Sequence, residues 1–176
     1  MLEAPAGMNT RPTSDRLRET LFNILAPRIE GARFADLYAG SGAVGLEALS
    51  RGAAWVELVE KAPVALKALN GNLGKLGVRQ GVAVRSSSVA AWIKRQSGVS
   101  FDLIFLDPPY DMEAEYETVL GLLGAAASSL LAPNALVIAE HRRKDKLAEG
   151  YGCLVKTRLH QQGDASLSFY ARNADE

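Results

Sequence analysis

Cysteine is nearly absent from this chain: Cys153 stands alone among 176 residues, so no internal disulfide can form. A lone thiol agrees with a reducing cytosol, and Cys153 reads as a small core residue. Histidine is scarce too, with two residues. His141 and His160 have no ligand-like spacing to each other or to Cys153, which argues against a metal site. No apolar run approaches the roughly 18 residues of a membrane span. The most apolar stretch, 125–139, is interrupted by Ser128, Ser129, Pro133 and Asn134. A basic-then-apolar leader is missing at the N-terminus. Excess charge is missing too, since 20 Lys and Arg balance 20 Asp and Glu. That balance counts mildly against a nucleic-acid partner and shifts attention to local clusters. Two are basic: Arg11, Arg16, Arg18 and Arg28, then Arg142, Arg143, Lys144 and Lys146.

What is present is ordinary for a globular protein, with 48% hydrophobic and 23% charged residues. The length suits a single domain over 1–176, with 1–10 expected to fray and 11–30 forming an N-terminal helical segment. A helix is expected from a cap at Thr13 or Ser14 to about Leu25, burying Leu17, Leu21, Phe22 and Leu25 and ended by Pro27. Strands and helices then alternate: strands at 34–38, 55–59, 81–85, 101–106 and 135–139, helices at 43–50, 63–76, 89–95 and 113–131. Such alternation predicts an α/β fold with a mostly parallel sheet and helices on both faces. The tail departs from it. Residues 153–160 and 166–171 flank Gly163-Asp164, predicting a C-terminal antiparallel hairpin. Trp55 and Trp92 read as core residues.

After the first strand comes Gly40-Ser41-Gly42-Ala43-Val44-Gly45, a G-x-G-x-x-G turn that lets backbone approach a ligand at a helix N-terminus. Glu60, after the second strand, can accept two ribose hydroxyls. A phosphate-binding P-loop is excluded, because Leu46 and Glu47 stand where Lys and Ser or Thr are needed. A nicotinamide or flavin dinucleotide and S-adenosylmethionine both remain open. Asp36, beside the loop, would repel a pyrophosphate and suits a ligand carrying an ammonium group.

The fourth apolar strand ends in Asp107-Pro108-Pro109-Tyr110. A carboxylate, a carbonyl fixed between prolines and an aromatic ring can hold a planar –NH2 group and present its nitrogen to an electrophile. Asp107 and the Pro108 carbonyl would each accept an N–H, with the Tyr110 ring beside them.

Three stretches together, Asp36-Leu37-Tyr38-Ala39-Gly40-Ser41-Gly42, Glu60 and Asp107-Pro108-Pro109-Tyr110, resemble the ordered motifs of amino-group methyltransferases that use S-adenosylmethionine. The segments 11–23 (RPTSDRLRETLFN) and 45–53 (GLEALSRGA) resemble the RsmD family more narrowly. The resemblance runs from about Arg11 to Tyr170. It implies a Rossmann-like class I methyltransferase with a seven-stranded sheet, acting on the N2 amine of one guanine (of the guanine 966 type) in 16S ribosomal RNA or the small ribosomal subunit. It implies a cytoplasmic enzyme, and nothing in the sequence demands more than a monomer. Cofactor contacts then fall on Asp36, Tyr38, Ala39, Gly40, Ser41, Gly42, Gly45, Glu60, Lys61, Ser87 and Ser88; catalysis falls on Asp107, Pro108, Pro109 and Tyr110; RNA contacts fall on Arg11, Arg16 and Arg18. Ser86-Ser87-Ser88 stands where related enzymes often place Asp or Asn against the adenine. Only ten residues precede Arg11, where family members usually carry a further basic stretch. The rival readings are a DNA adenine or protein amide methyltransferase, a nicotinamide-dependent oxidoreductase, and an RNA-binding protein with an idle cofactor pocket.

Overall fold

The computed structural model describes residues 2–3, 12–109, 111–125 and 127–173. They divide into two compact units, 1–88 and 89–176.

The first unit opens with α1, Pro12–Ile29. Pro12 takes the first helical position, where its missing N–H costs nothing and its φ is already set. The helix therefore starts ahead of the expected Thr13 or Ser14 cap. Nor does it stop at Leu25, because Pro27 lies inside the last turn. Leu17, Leu21, Leu25 and Ile29, at four-residue steps, are all buried, and that stripe holds the final turn down despite the lost hydrogen bond. Phe22 stacks on Phe34 with ring centroids 6.3 Å apart.

Three parallel strands follow: β1 (Arg33–Leu37), β2 (Trp55–Glu60) and β3 (Val82–Ser86), in spatial order β3-β2-β1. Two helices link them, α2 (Ala43–Ser50) and α3 (Pro63–Lys75). β1 and β2 are buried along nearly their whole length, as continuous apolar strands under crossover helices must be. α3 ends as its glycine predicts. Gly77 takes φ 65°, and the bonds Gly77 N–H to Gly74 O (3.1 Å) and Val78 N–H to Leu73 O (3.0 Å) complete a Schellman cap. Glu3, inside the segment expected to fray, is pinned instead: its N–H donates to Asn72 Oδ1 (2.8 Å) and Asn72 Nδ2 donates to its carbonyl (3.0 Å).

The second unit holds α4 (Val89–Arg95), β4 (Phe101–Leu106), α5 (Glu113–Ala125), α6 (Ala127–Leu130), β5 (Leu131–Arg142), β6 (Gly150–Tyr151), β7 (Leu154–Gln162) and β8 (Ala165–Arg172). β4 and β5 are parallel; β5-β8-β7-β6 continue antiparallel. The α/β class and the terminal hairpin are those expected, with Gln162 paired to Ala165 across a Gly163-Asp164 loop and Gly163 at φ 59°. The two-residue β6 is an addition that no sequence period announced. The expected 113–131 helix is shorter, since Leu131 already pairs with Phe101 in β5. β5 spends the five steps from Leu131 to Leu136 where β4 spends two, Phe101 to Leu103, and this bulge takes up Pro133. Trp92 packs on Phe101 (5.5 Å) and Tyr151 on Tyr170 (5.6 Å). Trp92 and Cys153 are buried, as expected of core residues.

Gly124 of α5 lies against β6 so closely that a Cβ would sit 1.9 Å from the Tyr151 carbonyl oxygen. No rotamer change relieves a backbone clash. On the same helix, a Cβ at Gly121 meets nothing within 4 Å. Gly124→Ala should therefore lower the unfolding free energy by about 1–3 kcal/mol through overpacking. Gly121→Ala should raise it by up to about 1 kcal/mol through helix propensity. Urea denaturation measures both, and shifts of equal sign would refute the close contact.

His141, on β5, is 2% exposed. Its Nδ1 lies 2.9 Å from the Arg142 carbonyl, which only accepts, so Nδ1 carries the proton and Nε2 accepts the Ser168 hydroxyl at 2.8 Å. Burial lowers its pKa from the ordinary value and outweighs the opposing Arg142 carbonyl; nearby Lys156 lowers it further, and Asp145 raises it. A depressed value means that the folded state favours the neutral ring. Its stabilisation is complete above the unfolded pKa of about 6.5 and is lost as pH falls through the folded value. Stability should thus decline as pH drops from about 7 to 5, and His141→Gln should flatten that decline in urea midpoints measured across the range.

Candidate functional site

Because β1, β2 and β3 run parallel in register, with Leu37 beside Val59 and Glu60 beside Ser86, their carboxyl ends deliver three short segments to one edge of the first unit. Ligands of open α/β sheets bind outside such ends. Residues 38–42 come from β1, Glu60 and Lys61 from β2, and Ser87 and Ser88 from β3.

The glycine turn is held by two carboxylates. Asp36, 2% exposed, accepts the Gly45 N–H at 2.9 Å and so pins the first turn of α2 to β1. Glu60 accepts the Gly40 N–H at 2.9 Å with one oxygen, and Lys61 and Ala62 N–H groups at 2.8 and 2.9 Å with the other. A carboxylate has about four acceptor positions, so Glu60, half-buried at the rim, keeps capacity for a ligand hydroxyl. The Ser87 N–H donates to the Glu60 carbonyl (3.2 Å), and the Ser87 hydroxyl donates to the Ser88 carbonyl (2.9 Å). Ala39 N–H donates to Val59 O (2.9 Å), and Gly42 N–H to Ala39 O (2.8 Å) closes the turn.

The glycines divide their tasks. Gly40 has φ +56° and faces open space, with nothing within 4 Å of an added Cβ. It is the point where a ligand can approach backbone. Gly45 is a packing residue, since a Cβ there would lie 2.2 Å from Leu58 Cδ2. Gly42 combines φ +85° with a Cβ position 2.3 Å from Leu69 Cδ1.

Two residues at this edge carry information that sequence reading did not extract. Tyr38 has φ 66°, a left-handed conformation unusual for a bulky side chain and concentrated in ligand-binding turns. Asn72, fully buried on α3, donates to the Ser41 carbonyl (2.9 Å) as well as gripping Glu3. Only its burial inside a helix reveals that role; an Asn in a helical sequence looks like a surface residue.

In the second unit, Asp107 is half-buried at the end of β4, Pro108 is buried and Pro109 exposed. The Pro109 carbonyl accepts the Met112 N–H at 3.0 Å, turning the chain into α5. Tyr110 lies outside the described residues, as does Arg11. Arg16 is exposed. Arg18 is committed elsewhere: it bonds Glu47 of α2 (2.7 Å) and Asp15 (3.1 Å), joining α1 to α2. Glu47 also receives Arg51 (3.0 Å), whose guanidinium covers the Phe22 ring at 5.1 Å. No helix among the described residues is long and apolar enough to cross a membrane.

A family model described as conserved hypothetical protein 95 matches residues 1–171. The chain belongs to that family. The Bacillus subtilis protein YlbH is 36% identical over 175 residues, 97% of this chain and 92% of that protein. The ribosomal RNA small subunit methyltransferase D of Haemophilus influenzae is 39% identical over 138 residues, 77% of this chain and 69% of that enzyme. Among solved structures, yhhF from Escherichia coli matches with a TM-score of 0.84 at 33% identity, covering 99% of this chain and 92% of that one. These matches bear out the RsmD resemblance. As a member of conserved hypothetical protein 95, the chain is an RsmD-like methyltransferase with the α/β fold of its class.

Asn72 offers a direct test of how the glycine turn is held. Asn72→Ala leaves the Ser41 carbonyl unpartnered and should cost about 1–3 kcal/mol in urea denaturation. Asn72→Asp should rescue little, because a carboxylate cannot donate to that carbonyl. Wild-type stability in the Asp variant would overturn the assignment.

Proposed function

We propose that this protein methylates the exocyclic N2 amine of a guanine in 16S ribosomal RNA, using S-adenosylmethionine. The match to the Haemophilus ribosomal RNA small subunit methyltransferase D carries the choice of substrate. The cofactor reading is supported by the first unit's edge. Gly40 leaves room for a ligand, Glu60 has acceptor capacity for ribose hydroxyls, and no Lys follows the turn to hold a phosphate. Tyr38, Ala39, Ser41 and Gly42 would line the amino-acid end, and Lys61, Ser87 and Ser88 the adenosine end. Asp36, which holds the Gly45 N–H, shapes the turn beside that end.

When bound, S-adenosylmethionine supplies an electrophilic methyl group. The chain's own task is to prepare the nucleophile. A guanine amine is poor because its lone pair is delocalised into the ring. Asp107 and the Pro108 carbonyl accept its two N–H groups and draw the nitrogen toward tetrahedral geometry, freeing the lone pair. Tyr110 stacks on the unstacked base, a contact of roughly 1–3 kcal/mol. As the nitrogen gains positive charge the same acceptors strengthen, and its proton passes to solvent. Positioning is the main catalytic contribution; well-oriented reactions gain about 7–11 kcal/mol in this way.

Labelled methyl transfer to unmodified small subunits tests the reading. Asp107→Ala should cut turnover about a hundredfold or more while leaving cofactor affinity near wild type. Glu60→Gln should do the reverse, weakening cofactor binding in calorimetry. Incorporation into DNA or protein, with none into the ribosomal RNA, would transfer the activity to another amino-group substrate.

A further inference from the structure

The second basic cluster remains unexplained by the site described so far. β5 pairs with β4 up to Leu106 and Ala139, then runs three residues further, so that Glu140, His141 and Arg142 extend past the point where β4 gives way to Asp107. The residues that follow Arg142 therefore leave from the same carboxyl edge of the second unit as Asp107-Pro108-Pro109.

Two contacts fix this neighbourhood. The Tyr116 hydroxyl of α5 donates to the Glu140 carbonyl at 2.6 Å, and Arg142 reaches Glu113, at the start of α5, as well as Asp145 (2.7 Å). α5 begins four residues after Pro109, so the turn after β5 and the Asp107 turn are braced against one helix end. The turn itself is stitched down. Arg143 N–H donates to the Asp164 carbonyl (2.7 Å), Asp145 N–H donates to the Arg142 carbonyl (3.0 Å), and Arg143 Nη1 leans on the Gly163 carbonyl (3.5 Å).

The charges on this turn are unequally spent. Arg142 takes up both Glu113 and Asp145, and Glu149 is held by Lys156. Arg143, Lys144 and Lys146 are exposed, and none makes an ion pair among the described residues. Three exposed cations on a braced turn, with no large apolar residue between them, suit a flexible polyanion better than an apolar or acidic-helical protein surface. The first basic cluster is less available, because Arg18 is bound to Glu47 and Asp15.

We infer that Arg143, Lys144 and Lys146 form the substrate's phosphate grip, holding the RNA backbone beside the nucleotide presented to Asp107. This rests on the RNA reading proposed above. Each phosphate contact on single-stranded RNA steepens the dependence of log K on log salt by about 0.7, so three contribute a slope of about 2.

The test replaces Arg143, Lys144 and Lys146 by Gln together, and compares a control in which Lys67, Lys94 and Arg95, exposed cations elsewhere, become Gln. The control removes the same net charge. The inference expects the turn variant to keep its urea midpoint and its cofactor affinity. Its KM for unmodified small subunits should rise about tenfold with kcat within about twofold, and the salt slope of RNA binding should fall by about 2. The control should match wild type. A turn variant indistinguishable from the control, in a protein whose wild type methylates ribosomal RNA, overturns the inference and leaves the proposed function standing. A wild type that transfers no methyl to ribosomal RNA defeats the proposed function, and the inference with it.

Discussion

A buried carboxylate pressed against a helix start is the constraint on which the first unit depends. Asp36 holds the Gly45 N–H at 2.9 Å, and Gly45 has no Cβ to keep Leu58 away. Because α2 begins so close to β1, the chain between them must turn within five residues, 38–42. Gly40 and Gly42 consequently take positive φ, and Tyr38 is drawn into the left-handed region with them. Glu60 then fixes the outer lip of that turn from the neighbouring strand. A ligand meets a rim whose donors and acceptors were positioned before it arrived, which removes part of the ordering cost of binding.

Much of this was legible in the chain. Apolar runs at 34–38, 55–59 and 101–106 read as buried strands, and Gly52 and Gly77, just past the expected 43–50 and 63–76 helices, take positive φ. The tail hairpin followed from alternation around Gly163-Asp164. Family likeness was readable for a different reason: the 45–53 segment carries the buried face of α2, with Gly45, Leu46 and Ala48.

What stayed hidden was set by tertiary contact. Pro27 looked like a helix stop, yet a four-residue stripe from Leu17 to Ile29 outweighs one lost bond. β6 is two residues long, pairs with β7 and lies against Gly124 of α5. Asn72 and Arg18 could not be assigned without knowing what lay opposite. Arg18 in particular shows how a basic residue expected to meet RNA can be a structural tie, with Glu47 as its partner across two helices.

The Gly124 contact also gives the protein an internal reporter. Cys153 follows the residues that touch Gly124, donates its N–H to the Gly124 carbonyl (3.4 Å), and is the chain's only thiol. Cys153 is buried beside the contact between α5 and β6. Thiol-reactive dyes will therefore label the native chain only when that end of the second unit breathes, so labelling kinetics read the opening free energy of one small region without any introduced probe.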